Sequence, residues 1–309
     1  MPQFTPSHRM AAGVQAGRRD PRIYQIAVLG ALLAYGVLAL DFGVEGAFVP
    51  VILGTALGVQ VLLTRWAKLP AYDPRSPLIS GLSLCLLLRT NSLALAGATA
   101  AVTIASKFLI RRRGKHVFNP TNFGLVAMML VSGQVWVSPA QWGSPAFFGF
   151  LLACLGGLVV NRAARSDVTY AFLASYVGIL LGRALWLGDP LAIPLHQLQS
   201  GALVIFAFFM ISDPKTTPDS RAGRMLFGAL VALGGAFIQF GLYRPNGLLF
   251  SLAACAPLVP AIDRLLPGER YRWPRVRRAF ADTPSSARSV AAAGTPIPHL
   301  QLQIERRTR

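Results

Sequence analysis

The chain has 309 residues, of which 53% are hydrophobic and 14% are charged, and its formal net charge is +18. Soluble domains carry roughly a quarter charged residues, so this composition argues against a soluble protein. The basic residues lie at the ends of apolar segments rather than on a solvated face, which argues against nucleic-acid binding. We therefore expect membrane lipid as a partner and no nucleic acid.

Ten apolar segments follow one another along the chain, and runs of about 18 apolar residues are typical of membrane spans. They lie near 23–41, 47–64, 77–88, 93–110, 121–138, 145–160, 169–187, 198–212, 224–242 and 246–262. The runs are too long and too uniformly apolar for barrel strands, so we predict an all-α polytopic membrane protein. The membrane domain is predicted over 23–263. A basic cytoplasmic segment, 1–22, precedes it, and a disordered basic cytoplasmic tail, 264–309, follows it.

The basic residues also predict an orientation. When the N-terminus is placed in the cytoplasm and ten spans alternate, 27 of the 30 Lys and Arg residues fall on the inner side. The outer side keeps Arg89, Arg183 and Arg244. Such a bias agrees with the positive-inside rule. We therefore expect a multi-pass protein of the bacterial inner membrane with both termini in the cytoplasm.

Two short patterns recur at nearly one offset and indicate an internal repeat. Ser80-Gly81 begins the third segment as Ser200-Gly201 begins the eighth, and FNPTNFGL at 118–125 resembles YRPNGLLF at 243–250. Because five spans separate the copies, the halves at about 23–138 and 145–263 are predicted to be inverted relative to each other. Inverted repeats with short, Gly-interrupted spans are typical of folds that carry a central site.

A helix that ends inside the membrane leaves unpaired N–H groups, which can hold an anion or a polar ligand. The third and eighth spans are predicted to be short broken helices of this kind. The candidate binding residues near such breaks are Ser80, Gly81, Asn119, Pro120, Asn122, Ser200, Gly201 and Asn246. The alternative is that these small and polar residues only let the helices pack closely.

The acidic residues lie at the ends of spans, which gives little support for a proton or sodium relay within this chain. Asp213, in FFMISDPKTTP, follows an unbroken apolar run and precedes a proline. Helix capping, a salt bridge and ion handling all remain open for it. No Ser/His/Asp set, phosphate loop or metal cluster is visible, so catalytic residues are not assigned and no metal is expected.

Several motifs resemble one known family. GKHVFNPTNFGLV, HQLQSGALVIFAFFMISDPKTTP and GRMLFGALVALGGAFIQFGLYRPNGLLFSLAACAPLVPAID are similar to segments of RnfD, a membrane component of the Rnf electron-transport complex. They are also similar to NqrB, its relative in the sodium-translocating NADH:quinone reductase. The resemblance covers roughly residues 70–265, and it adds His116 and Asp213 to the candidate cofactor-binding residues.

The resemblance implies a flavin, and the sequence departs from the family at the covalent attachment site. Family members carry FMN on a threonine of an S-G-A-T type motif after the fifth span. The corresponding segment here is SPAQWGSP, residues 138–145, and the Ser-Gly-Ala at 200–202 is followed by leucine. We therefore expect no covalent FMN. A riboflavin or FMN could be held non-covalently, or the chain could have lost flavin and kept the scaffold.

The resemblance implies a membrane component of a redox complex, which passes electrons through a bound flavin and works with other subunits. In the family, this electron transfer is coupled to ion movement. Two alternatives remain open at this point. One is a permease or channel-like carrier for a small solute, and the other is a non-catalytic membrane scaffold.

Overall fold

The computed structural model describes residues 21–39, 46–112, 114–138, 147, 149–151, 154 and 166–270. Within this part of the chain the fold is mostly helical, as predicted. The N-terminal segment through residue 20, most of the predicted span at 145–160 and the tail from residue 271 lie outside the described residues.

Up to residue 138, the described residues form five helices and four two-residue strands. The helices are α1 (Pro21–Ala39), α2 (Phe48–Trp66), α3 (Arg75–Leu87), α4 (Leu93–Leu109) and α5 (Pro120–Ser132). The strands are β1 (Leu88–Arg89), β2 (Arg111–Arg112), β3 (Lys115–His116) and β4 (Trp136–Val137). β2 and β3 form a hairpin, and β1 pairs with β4.

In the second part the described residues form six helices, some of which join end to end into longer rods. The helices are α6 (Ser166–Leu187), α7 (Ala192–Leu198), α8 (Gly201–Ile205), α9 (Arg221–Ala236), α10 (Gly247–Cys255) and α11 (Val259–Leu265). α8 continues as a π-helix over Phe206–Met210, and α9 continues as a π-helix over Phe237–Gly241. A 3₁₀ turn, Ala256–Leu258, connects α10 to α11.

Five of these rods are long and apolar enough to cross a membrane, namely Arg22–Ala39, Phe48–Trp66, Ser166–Leu187, Arg221–Gly241 and Gly247–Leu265. The pair α7 and α8 counts as a sixth if a rod bent by 51° is one span. The helices α3, α4 and α5 are apolar but shorter.

Local sequence explains where several helices begin. Ser92, Asn119 and Ser220 are the N-caps of α4, α5 and α9, and each side-chain oxygen accepts a hydrogen bond from the backbone N–H three residues later. Pro120 occupies the first turn of α5, where a missing N–H costs nothing. α5 ends at Gly133, whose φ of 63° is a left-handed conformation that glycine adopts readily.

The helix contacts follow the same order in both parts of the chain. α2 packs along α4, and α4 packs along α5. In the second part α6 packs along α9, and α9 packs along α10. Gly228 permits one of these close approaches, because a Cβ there would lie 2.8 Å from the carbonyl oxygen of Val168.

The ends of the helices collect on two sides of the bundle. On one side Arg22 and Arg75 bind Asp73, and the amine of Lys107 donates to Ser76. The β2–β3 hairpin joins loop 211–220 and the end of α11 there through Lys115, which bridges Asp219 and Asp263. We call this side the basic end. The opposite side holds the β1–β4 pair, and the N–H of Ser138 extends it by donating to the carbonyl oxygen of Leu87.

Three predicted boundaries need correction. α3 runs without interruption through Ser80 and Gly81, and the chain becomes extended only at Leu88. α5 stops at Ser132 rather than near residue 138, because the left-handed Gly133 ends it. The eighth segment begins earlier than predicted, at Ala192, and its break comes before Gly201.

Candidate functional site

The break between α7 and α8 forms one wall of the candidate site. The two helices meet at 51° around Gln199 and Ser200. Ser200 is the N-cap of α8, since its hydroxyl oxygen accepts from the N–H of Leu203 at 3.4 Å. The predicted helix start at Ser200-Gly201 is therefore present in the fold.

A cavity of about 300 Å³ opens beside this break. Both π-helices contribute to its lining, α8 through Phe206 and α9 through Gln239. π-helical turns are rare and frequently occur at functional sites, because one extra residue shifts the side chains that follow. We call this space the helix-break cavity. Its polar lining residues include Ser138, Tyr176, Gln197, Ser200, Gln239 and Asn246.

The lining combines an apolar surface with a few amides and hydroxyls. The hydroxyl of Tyr176 donates to Oε1 of Gln239 at 3.0 Å, and Tyr176 is only 5% exposed. This bond orients the glutamine side chain, which is otherwise carried on an apolar helix. None of the described residues that line the cavity is charged. Such a lining suits an uncharged planar ligand with a polar edge.

Asparagines connect α5 to the second part of the chain, close to this cavity. Nδ2 of Asn119 donates to the carbonyl oxygen of Met210 at 3.2 Å, and its Oδ1 accepts from the N–H of Asn122. Nδ2 of Asn122 donates to the carbonyl oxygen of Leu249, and Nδ2 of Asn246 lies 3.6 Å from the sulfur of Met129. The asparagines thus join α5 to α10, with Asn122 near the start of α5 contacting Leu249 and Met129 near its end contacting Asn246.

The structure therefore brings some predicted site residues together and separates others. Ser200 and Asn246 line the helix-break cavity, and Gly201 begins the helix next to it. Asn119, Pro120 and Asn122 form the start of α5, and the two asparagines bind the backbone of the neighbouring helices.

Ser80 and Gly81 lie elsewhere. Both are buried in the middle of α3, where a Cβ on Gly81 would lie 2.8 Å from a methyl group of Leu53. Their position is that of packing residues between α3 and α2, which was the alternative interpretation.

Two more predicted residues lie at the basic end. Asp213 organises the turn after the π-helix, since its carbonyl oxygen accepts from Thr216 and Thr217 and its Oδ1 accepts from the N–H of Lys215. His116 lies on the β2–β3 hairpin and lines a second, basic cavity. Neither residue lines the helix-break cavity.

Tyr176 and Gln239 are among the site residues that sequence reasoning missed, together with Ser138 and Gln197. Tyr176 and Gln239 are 63 residues apart, and each is a polar interruption of an apolar span. That local signal was available, because a polar side chain inside a span is costly and tends to be functional. It could not identify the two residues as partners.

Parts of the chain are similar to known proteins. Residues 143–272 match the profile of the NQR2, RnfD, RnfE family. The D subunit of the ion-translocating oxidoreductase complex of Tolumonas auensis is 48% identical over 82 residues, which is 26% of this chain and 23% of that protein. The subunits of the same name from Citrobacter koseri and Escherichia coli are 35% and 38% identical, each over 48% of this chain and 38% of the relative. The chain thus covers well under half the length of these relatives.

Proposed function

Because residues 143–272 match the NQR2, RnfD, RnfE family, we propose that the chain is a membrane component of an RnfD-like electron-transport system. In this proposal it binds a flavin non-covalently in the helix-break cavity and works with other redox subunits. The observation that carries the flavin proposal is the cavity itself, where two π-helices and a helix break converge on the Tyr176–Gln239 pair.

The residues of the cavity fit the ring system of a flavin. About 300 Å³ is at the lower limit for a small-molecule site, so the cavity matches a ring system better than a whole nucleotide. Gln239, Ser200 and Asn246 offer hydrogen-bonding groups, while Phe206 and Leu203 supply apolar surface. Since no described lining residue is charged, riboflavin suits this cavity better than FMN, whose phosphate would need a cation.

The residues that line the cavity indicate which roles belong to the protein and which to the flavin. A bound flavin would supply the electron-transfer chemistry. The protein's own residues hold the ring edge through Gln239, keep that amide oriented through Tyr176, and exclude water with the apolar wall. Ion coupling is part of the proposal only by analogy with the relatives, which are named for an ion-translocating oxidoreductase complex.

We also propose that the membrane domain has ten spans arranged as two inverted halves. Five long rods, one bent pair and three shorter apolar helices make nine spans among the described residues, and the segment at 145–160 would be the tenth. The packing order α2–α4–α5 is repeated by α6–α9–α10, at an offset of five spans.

The contacts between α5 and α10 support the inversion. Asn122 of α5 contacts Leu249 of α10, whereas Met129, further along α5, contacts Asn246, which lies before Leu249. Residue numbers therefore increase along α5 in the direction in which they decrease along α10, so the two helices run antiparallel. Corresponding helices of inverted halves should have this relation. The proposed orientation places the basic end in the bacterial cytoplasm, with both termini on that side.

The flavin proposal is tested on the purified full-length chain. After extensive washing, wild-type protein should show the visible absorbance of an oxidised flavin, and denaturation should release it as riboflavin. Gln239→Leu removes a polar partner inside the cavity, and we expect about a fivefold loss of flavin affinity. The matched control is Gln60→Leu, because Gln60 is also a half-buried glutamine on an apolar helix, α2, away from the cavity.

The possible outcomes are distinct. Flavin loss in Gln239→Leu with retention in Gln60→Leu supports the site. A colourless wild-type preparation contradicts flavin binding and leaves the carrier and scaffold hypotheses. Flavin that stays attached after denaturation contradicts the non-covalent mode, and equal retention by both variants removes the helix-break cavity as its location.

A further inference from the structure

A second cavity, of about 270 Å³, lies at the basic end and is separate from the proposed flavin site. The β2–β3 hairpin, loop 211–220 and the end of the last helical rod enclose it. Its charged lining residues are Arg112, Lys115, Lys215, Asp219, Asp263, Arg264 and Arg270. We call it the basic cavity.

The charges of the basic cavity do not balance. Five cationic side chains face two carboxylates, which leaves an excess of three positive charges. Lys115 uses both carboxylates, at 2.8 Å from Asp219 and 3.3 Å from Asp263. Arg112 and Arg264 therefore contribute charge that the carboxylates of the cavity do not neutralise. An arrangement of this kind favours an anionic ligand.

The pKa of His116 is affected by positive charges at the same end of the bundle. Burial lowers its pKa to about 3, and the positive charges of Lys215, Arg111 and Lys107 contribute to that shift. The ring is therefore neutral at physiological pH. Its Nδ1 is buried and has no hydrogen-bond partner among the described residues.

Most of the remaining wall is apolar and belongs to the last predicted span. Ala256, Val259 and Pro260 line the cavity near the C-terminal end of the rod Gly247–Leu265. Ala256 and Val259 are largely buried, and Leu258 of the same rod is 47% exposed. Cationic groups thus lie near exposed apolar surface where a membrane span ends. Basic pockets between spans at the cytoplasmic surface are suited to anionic lipid headgroups, because the charges and the acyl chains are satisfied together.

We propose that the basic cavity binds a phosphate group, and that an anionic phospholipid headgroup supplies it, with Arg112 and Arg264 contacting the phosphate. The arginine fork matches phosphate oxygens in geometry as well as in charge. This binding site does not depend on whether the helix-break cavity holds a flavin.

The test titrates purified full-length protein in detergent with phosphatidylglycerol and follows complexes by native mass spectrometry. Each basic residue near a lipid surface contributes about a fivefold gain in affinity, so the double variant Arg112→Gln/Arg264→Gln should bind about 25-fold more weakly. Arg221→Gln is the matched control, because Arg221 is an exposed arginine at the same end, in the first turn of α9, that does not line the cavity. Its affinity should equal that of the wild type.

Further arms identify the source of the phosphate. Phosphatidylcholine, which is zwitterionic, should bind more weakly than phosphatidylglycerol, and millimolar inorganic phosphate should fail to displace the lipid. Displacement by inorganic phosphate would overturn the lipid assignment in favour of a soluble anion. Equal weakening in Arg221→Gln and the double variant would overturn the site itself.

A measurement on unaltered protein guards against misfolding of the variants. Phosphatidylglycerol with a photoreactive headgroup should crosslink to peptides that contain Arg264 or the hairpin at 111–116. Crosslinks confined to other peptides would contradict the proposal, whatever the variants do.

Discussion

Nδ2 of Asn122 donates a hydrogen bond to the carbonyl oxygen of Leu249 at 3.2 Å, across 127 residues of sequence. Asn122 is only 1% exposed, so this contact lies in the interior, where α5 meets α10. It joins the two parts of the chain at α5 and α10, which begin within the similar segments FNPTNFGL and YRPNGLLF. Removing this hydrogen bond should therefore destabilise the whole bundle.

Asn122→Ala should lower the free energy of unfolding by about 1–2 kcal/mol, because it removes a buried hydrogen bond between helices. Thermal unfolding of the purified protein in detergent measures the change. Asn91→Ala is the control, since Asn91 is an exposed asparagine before α4, and it should leave the unfolding temperature unchanged. Equal effects of the two substitutions would contradict the role of Asn122.

Gly228→Ala should destabilise the protein by about 1–3 kcal/mol through overpacking. The new Cβ would lie 2.8 Å from the carbonyl oxygen of Val168 and 3.0 Å from the N–H nitrogen of Phe172, and neither backbone atom can rotate away. Gly178→Ala is matched to it, because Gly178 lies in α6 and a Cβ there would have open space. That control should be neutral or slightly stabilising, since alanine favours the helix.

Asp167→Asn should cost roughly 3–5 kcal/mol, because it leaves a buried arginine without its counter-charge. Arg224 holds Asp167 through two bonds, Nε–Oδ1 at 2.7 Å and Nη2–Oδ2 at 2.6 Å, and its side chain is 8% exposed. The more exposed pair of Arg183 and Asp189 provides the comparison. Asp189→Asn should change stability by about 0–1 kcal/mol. Chemical denaturation measures the free energy of unfolding of both variants. If Asp189→Asn destabilised the protein more than Asp167→Asn, the structural role of Arg224 would be contradicted.

The stability of the basic end should depend on pH through His116. Burial and the neighbouring cations lower its pKa from 6.5 to about 3, so the folded protein holds the ring neutral while the unfolded chain protonates it. The stabilising contribution is complete above pH 6.5 and is lost progressively as the pH falls toward 3. Unfolding temperatures across this range should decline less steeply for His116→Gln than for the wild type. His196→Gln, at an exposed position near the other end, should decline as the wild type does.

The proposed orientation predicts which positions share a membrane face. In a cysteine-free background, single cysteines at the exposed positions 91 and 134 should react from the same side, because the β1–β4 pair holds these loops together. A cysteine at position 112, on the β2–β3 hairpin, should react from the opposite side. Labelling of intact cells with an impermeant reagent measures this. One shared face for positions 112 and 134 would contradict the inverted arrangement.

Local patterns predicted most of the helices and the starts of several of them. The apolar runs located the described helices within a few residues in most cases, and Ser200 and Asn119 are helix N-caps where the sequence had placed helix starts. The predicted break at Ser80-Gly81 was wrong, since small residues in a span also serve close packing, and here Gly81 meets Leu53.

The sequence predicted fewer of the residues that line the candidate site. Gln239 and Tyr176 become partners only because α6 and the rod that begins with α9 pack side by side. The π-helical turns that direct Phe206 and Gln239 toward one cavity leave no periodic signal of their own, because a single extra residue hardly changes the hydrophobic pattern.

The sequence by itself determined that the chain is a helical membrane protein and where its apolar helices lie, because burial of apolar side chains in lipid depends on composition and length. Only the tertiary structure decided that Ser200 and Asn246 share a cavity while His116 and Asp213 lie at the basic end. These groupings depend on how closely particular helices approach one another. That distance is set by contacts such as Gly228 against Val168, between residues far apart in the chain.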